Sequence, residues 1–285
     1  MPNPLGAQVD LKSVSVIKVD DAVTEASDLV AREEPLEIRL WSNTDGATPK
    51  SISITMRTPG DDFELAAGFL FTENIIQHPS QIAGIRFCGK DGDEKNIVKV
   101  ELAGDFLPDI SRLERNFYTT SSCGVCGKTS IDALSVGACK ISPDEFKVDS
   151  DTVHSLPDTL RMRQNVFEST GGLHAAGLFD ADGTLITIRE DVGRHNAVDK
   201  LIGGFFLAGK TPLSRSILAL SGRASFELIQ KAVVAGIPVV TAVGAPSSLA
   251  IEAAAEFGVT LLGFVRDQRF NIYTHPERIN TSVKR

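Results

Sequence analysis

Apolar and polar positions change their period along the chain, and each change marks a new element. Between residues 36 and 56 they alternate. Leu36 to Leu40 predicts one strand and Ser51 to Met56 another, with Ile52, Ile54 and Met56 on one face. After the turn Thr58-Pro59-Gly60 the spacing lengthens to that of an amphipathic helix, opened by Asp61 and running through Phe71. Alternation returns at Ile82 to Phe87 and Ile97 to Leu102, joined across the polar turn Lys90-Asp91-Gly92-Asp93. Residues 26–108 are therefore expected to form a small α+β subdomain. Residues 1–25 have few aromatics and no clear period, and read as a flexible tail.

Residues 109–285 read as one α/β domain. Thr129 to Leu134 looks like a helix start, Asp144 to Asp151 is polar and reads as a loop, and Pro157 to Glu168 reads as a helix stopped by Gly171-Gly172. Leu173 to Phe179 and Leu185 to Arg189 flank the turn Asp180-Ala181-Asp182-Gly183, a hairpin signal, and Ala197 to Phe206 is helical. The last third alternates strand and helix: Ile217 to Leu220, Ser225 to Ala235, Val239 to Ala242, Ser247 to Phe257, Thr260 to Val265. Short apolar strands separated by helices imply parallel pairing with both sheet faces covered.

Composition narrows the function classes. The 285 residues are 42% hydrophobic, enough for a substantial core. Twenty-nine basic residues against 37 acidic ones leave a net charge of −8, which argues against general binding of nucleic acid or an anionic membrane. No basic-then-apolar leader opens the chain. The apolar stretches are too short, or are interrupted by Gly236 and Pro238, so a cytoplasmic location is expected. In that compartment thiols stay mostly reduced, and the isolated Cys123-Gly124-Val125-Cys126 reads as catalytic or metal-binding rather than as a structural disulfide.

A helix start behind this pair and the cation of Lys128 would both favour thiolate at neutral pH, so a reactive dithiol is the leading reading. Half of a zinc site and an inert buried pair are the alternatives. There is no other Cys-x-x-Cys, and neither His174 nor His195 lies at a standard short spacing, so no metal site is expected. The run Glu190-Asp191-Val192-Gly193-Arg194-His195-Asn196 follows an apolar strand, where open α/β sheets bind ligands. Arg194 suits a phosphate and His195 proton exchange, against the alternative of a solvated loop. Ser221-Gly222-Arg223 and Gly244-Ala245-Pro246-Ser247 each place small residues before a helix, which suits an anion; each alone would be an ordinary cap. His174 on an apolar strand is more often a core residue than a ligand, and Arg269 to His275 reads as a final amphipathic strand.

These runs, with Arg57-Thr58-Pro59-Gly60-Asp61, Thr170-Gly171-Gly172-Leu173-His174 and Phe270-Asn271-Ile272-Tyr273, together resemble the FdhD family from about residue 30 onward. The resemblance implies a cytidine deaminase-like three-layer sandwich. It implies a sulfur carrier, or sulfurtransferase, that accepts sulfur as a persulfide from a cysteine desulfurase. That sulfur passes to a molybdenum bis(molybdopterin guanine dinucleotide) cofactor before the cofactor enters formate dehydrogenase. Cys123 would bear the persulfide with Cys126 as accessory. The cofactor, or a GDP-like ligand, would meet Arg194, His195, Ser221, Gly222, Arg223 and the stretch Phe270, Asn271, Ile272, Tyr273, Thr274, His275. A homodimer is implied as well. The deaminase His-x-Glu is missing, since His174-Ala175-Ala176 lacks the glutamate, so zinc-water deamination is not expected. Two rivals stay open: a dithiol-disulfide oxidoreductase, and a cofactor-binding chaperone whose thiols are passengers.

Overall fold

The computed structural model describes residues 11–42, 48–88, 95–104, 106, 108, 140–142, 146–164 and 170–281. Cys123, Cys126 and the helix expected at 129–134 lie outside the described residues. Among the described residues no helix is long and apolar enough to cross a membrane.

Two sheets organise this mixed α/β fold. The first has order β4-β3-β6-β5, built from β3 (Glu34–Trp41), β4 (Lys50–Arg57), β5 (Ile82–Phe87) and β6 (Ile97–Leu102). β3 runs parallel to β6, and the other pairs are antiparallel. Helix α1 (Asp62–Thr72) follows β4. The apolar face expected on β4 is only partly used: Ile52 is buried, whereas Ile54 and Met56 are exposed on this edge strand. A register shift opposite Ile38 and Arg39 breaks the simple alternation.

The other sheet has six strands in the order β13-β12-β11-β10-β8-β9. They are β8 (His174–Phe179), β9 (Leu185–Asp191), β10 (Ile217–Leu220), β11 (Val239–Ala242), β12 (Thr260–Arg266) and β13 (Arg269–Thr274). As the alternating last third implies, β10, β11 and β12 pair in parallel, while β8–β9 is the expected hairpin. Their side chains split between two cores. Ala176, Leu178, Leu218, Leu220, Val240, Ala242 and Leu261 face α3 (Arg194–Leu207), α4 (Phe226–Val234) and α5 (Ser248–Phe257) in one cluster that continues into the first sheet. Ala175, Phe179, Ile217, Ala219, Val239 and Leu262 face α2 (Ser150–Met162) in the other. A parallel β7–β14 pair (Val148–Asp149 and Ile279–Asn280) closes that outer layer.

Helix α1 is clamped between the sheets by α3. A Cβ at Gly68 would fall on the carbonyl oxygen of Asp199, and a Cβ at Gly203 on that of Glu64, so the two helices meet backbone to backbone. Across this contact Lys231 bonds Asp199 Oδ1 at 2.9 Å and Thr72 Oγ1 at 2.9 Å, all three buried.

Two expectations are corrected here. The chain from residue 11 is not loose: β1 (Leu11–Val19) and β2 (Val23–Ala31) form an antiparallel hairpin. It buries no face, with Ile17, Val19 and Val23 each about 70% exposed, so the brief alternation Ser13-Val14-Ser15-Val16 has no core behind it. Helix α2 begins at Ser150, well before Pro157, which sits inside it. An interior proline costs roughly 3 kcal/mol. Val153, Leu156 and Leu160, buried at helical spacing, recover roughly 1.5–3 kcal/mol each and fix the helix in spite of it.

Candidate functional site

The two sequence runs that flank α1 and α3 interlock. Arg57 donates from Nε and Nη2 to both carboxylate oxygens of Asp62, at 3.0 and 3.1 Å, and both groups are buried. Asp191, the last residue of β9, is fully buried. It accepts from the backbone N–H of Thr58 at 3.2 Å and of Gly193 at 2.8 Å, and from Asn196 Nδ2 at 3.0 Å. Lys200 Nζ sits 2.7 Å from Asp191 Oδ2 and donates to the carbonyl of Thr58 at 2.7 Å. Asp61 Oδ2 lies 3.2 Å from Arg189 Nε. Asp191 thus points inward and locks the start of α3, which leaves Arg194 and His195 at the helix amino terminus.

Those two residues stand on an edge shared by several motifs. The strand directions bring together the carboxyl ends of β9, β10, β11 and β12 and the amino ends of β8 and β13. The loop after β10 (Ser221-Gly222-Arg223) is tied to the start of β8: Ser221 Oγ accepts from Ala175 N at 2.8 Å, and Ser221 N donates to Ala175 O. The loop after β11 is laced to the loop after β10 by Gly244 N to Gly222 O and Ser247 N to Ala224 O, both 3.0 Å. It is laced to β12 by Phe264 N to Gly244 O. A Cβ at Gly263 would come 2.9 Å from Pro246 Cδ and 3.0 Å from Tyr273, so only glycine lets this loop settle on the sheet.

The edge is cationic and incompletely partnered. Arg194 and Arg223 make no ion pair with any described residue, and Arg194 Nε is buried without a hydrogen-bond partner. His195 Nε2 lies 3.3 Å from Ser225 Oγ and 3.8 Å from Glu227 Oε2. The His195 ring draws the Glu227 carboxyl down to about 2, against the opposing effect of burial, with the Glu227 backbone N–H and Ser225 adding to the pull. His174, opposite Asp191 in the hairpin, is pushed below the ordinary histidine value by burial first and then by the charges of Arg194 and His195, with Asp191 opposing.

Next to this edge lies a cavity of about 550 Å³. Leu160, Gln164, Gly172, His174, Ser221 and Arg266 line it. Gln164 is 5% exposed and its Nε2, at the cavity wall, has no hydrogen-bond partner among the described residues. Among the described residues no cluster of three or more His, Cys, Asp or Glu is placed to hold a metal ion.

Of the residues singled out from sequence, Arg194, His195, Ser221, Gly222 and Arg223 come together on this edge, and His174 joins them. The C-terminal stretch is divided. Phe270 sits at the same edge, with its ring 5.0 Å from that of His154, and Phe270 and Ile272 pack on the core beneath α2. Asn271 pairs with Gly263 midway along the edge strand β13, and Asn271 Nδ2 lies 3.5 Å from the Tyr273 hydroxyl. Thr274 pairs with Leu261, at the far end of β12. It is buried, bonding Val259 O and Leu261 N. His275 holds Ala255 O at 3.0 Å and Glu277 at 3.1 Å, and six residues of strand put it roughly 20 Å from the edge. Cys123 and Cys126 lie outside the described residues. Gln164 and Glu227 are not marked in the sequence: Gln164 falls within a stretch whose pattern predicts a continuing helix, and Glu227 has the position of an ordinary first-turn acid beside the α4 dipole.

Comparison with known proteins agrees with the motifs. The FdhD/NarQ family model matches residues 31–280. A "Sulfur carrier protein FdhD" from Streptomyces avermitilis is 53% identical over 93% of this chain and 94% of its own length. Proteins of the same name from Thermoplasma volcanium and Sulfolobus acidocaldarius are 47% and 42% identical, covering 90% and 95% of this chain and 90% and 100% of theirs. Among solved structures, a protein described as a formate dehydrogenase accessory protein from Desulfotalea psychrophila superimposes with a TM-score of 0.70. It is 25% identical, and the match covers 95% of this chain and 99% of that one.

Proposed function

The chain belongs to the FdhD/NarQ family, and from that premise we propose that it is a sulfur carrier serving a formate dehydrogenase. Cys123 takes a sulfane sulfur from a cysteine desulfurase as a persulfide, and Cys126 assists. Attack of the Cys126 thiolate on the inner sulfur forms a disulfide and releases the terminal sulfur as sulfide. The two thiols are oxidised as that sulfur is reduced, and an external thiol reductant resets the pair. The recipient is a molybdenum bis(molybdopterin guanine dinucleotide), handled as cargo. Its phosphates suit Arg194, Arg223 and the two loops at the helix amino termini, and its rings suit the neighbouring start of β13. A cytoplasmic homodimer and a cytidine deaminase-like sandwich belong to the same reading. The mixed six-stranded sheet with helices on both faces supports the latter.

The observation that carries the reading is the convergence of sequence-distant motifs on one edge whose arginines have no carboxylate partner among the described residues, beside a cavity with an amide donor that likewise has no partner among them. Incubation with a cysteine desulfurase and cysteine is expected to add the mass of whole sulfur atoms to intact protein, lost in Cys123→Ala. If the wild-type protein takes up no sulfur, or if Cys123→Ala with Cys126→Ala still activates the dehydrogenase, the carrier role is refuted and the chaperone reading stands.

A further inference from the structure

Large apolar side chains stand exposed mostly in one part of the molecule. Of the ten exposed among the described residues, seven lie on β1, β2 and β4. On the β1–β2 hairpin, Ile17, Val19, Val23 and Leu29 share one face, because Ile17 stands opposite Glu25, Val19 opposite Val23 and Ser13 opposite Leu29. That face carries one charge, Glu25, against Lys12, Lys18 and Asp28 on the other. The Ser13 and Ser27 hydroxyls on it bond each other at 2.7 Å, which leaves less polar surface to strip of water. On the edge strand β4, Ile54 is 65% and Met56 47% exposed. We propose that the β1–β2 hairpin is an exchange arm: in a two-fold dimer of this chain, each arm lays its apolar face on the β4 edge of the other copy, over Ile54 and Met56.

Both surfaces need a cover. A two-stranded hairpin standing alone is marginal in water, and its apolar face stays dry only against another surface. An edge strand that exposes apolar side chains is in turn a place where chains associate. The two are neighbours in the sequence, since β2 leads through Arg32 and Glu33 into β3, the strand that pairs with β4. They also match in length, with nine residues in each arm strand and eight in β4.

Area selects a second copy over a foreign partner. Nine residues per strand make the arm roughly 30 Å long and two strands make it roughly 10 Å wide, so its face offers about 300 Å². One arm on one partner surface would remove about 600 Å² from water in total, short of the roughly 1,000 Å² that a specific interface needs. Two arms exchanged across a two-fold axis double this to about 1,200 Å², which reaches the standard class. The arm also precedes residues 31–280, the span matched by the family model, which favours a contact between copies over one with a dehydrogenase client. The exchange gives the homodimer of the proposed function its interface, and it rests on that part of the reading alone, not on sulfur chemistry.

Sedimentation equilibrium of the full chain tests the exchange, with a species of twice 30.6 kDa expected. Ile17→Lys with Val23→Lys on the arm should weaken the dimer about a hundredfold or more, and so should Ile54→Glu on β4. All three side chains are exposed in the single chain, so circular dichroism should not change. Mixed in equal amounts, the arm variant and the β4 variant should associate again. One of their two contacts is then wild-type, and the other sets a cation against an anion. A wild-type chain that is monomeric at every concentration overturns the proposal, as does a dimer indifferent to the arm variant. A dimer lost in the arm variant but kept in Ile54→Glu, or variants that stay apart when mixed, would place the arm elsewhere and overturn it too. A dimer that behaves as expected but takes up no sulfur from a desulfurase refutes the carrier reading and leaves the exchange arm standing.

Discussion

Removing Asp191 should cost far more than removing its cationic partner. The two side chains form a buried ion pair at 2.7 Å, with relative exposures of 2% for Lys200 and 0% for Asp191. Their other partners are unequal. Without Lys200, the Asp191 carboxylate keeps the N–H groups of Thr58, Gly193 and Asn196. Each hydrogen bond to a charged acceptor is worth roughly 1.5–3 kcal/mol. Without Asp191, the Lys200 ammonium keeps only the Thr58 carbonyl among the described residues, and three N–H groups lose their acceptor. Breaking a buried pair from the less compensated side costs roughly 3–5 kcal/mol. Asp191→Ala is therefore expected near the upper end of that range, and Lys200→Met near its lower end, about 3 kcal/mol. Urea unfolding at one fixed protein concentration, with fluorescence and circular dichroism required to coincide, reads both. If Asp191→Ala is too unstable to purify, Asp191→Asn keeps the shape and should still fall below Lys200→Met in midpoint. Equal midpoints, or Lys200→Met as the worse variant, would refute the assignment of Asp191 as the anchor of α3.

Gly203→Ala should destabilise by about 3 kcal/mol, the upper range for overpacking, because the added methyl meets the backbone carbonyl of Glu64 rather than a side chain that can turn away; a midpoint equal to wild type in the same urea titration would show that α1 and α3 can separate freely. His174 should make the protein less stable as pH falls. Its folded-state value lies below its unfolded one, so the unfolded chain binds the extra proton first, and stability declines as pH drops from about 6.5 toward the lowered value. His174→Gln should flatten that part of the stability–pH curve; an unchanged slope would contradict it.

The parallel part of the fold is legible in the sequence because its strands are buried on both faces. Ile217–Leu220 and Val239–Ala242 can be nothing but central strands once helices ending near Gly236 and Gly258 separate them. Loops after such strands belong to a ligand edge by topology alone, which is why Arg194, His195 and Ser221 to Arg223 are found together. What the sequence hides depends on partners far away in the chain. A charged run after a strand reads either as a solvated loop or as a ligand loop, and the observed one is divided: Asp191 turns inward to Lys200, while Arg194 and His195 stand half-buried at the amino end of α3. Nothing local to the run distinguishes these, because the donors that satisfy Asp191 include Thr58, more than a hundred residues earlier. The same holds at the other end. Phe270 to His275 has the pattern of one recognition stretch, yet its antiparallel register against β12 carries one end to the shared edge and the other to the opposite side of the sheet. A ligand on the edge can touch the start of β13 but not His275, whose ring is already bound to Ala255 and Glu277. Substitution of His275 should therefore be felt in stability, whereas substitution of Arg194 or Arg223 should be felt in binding.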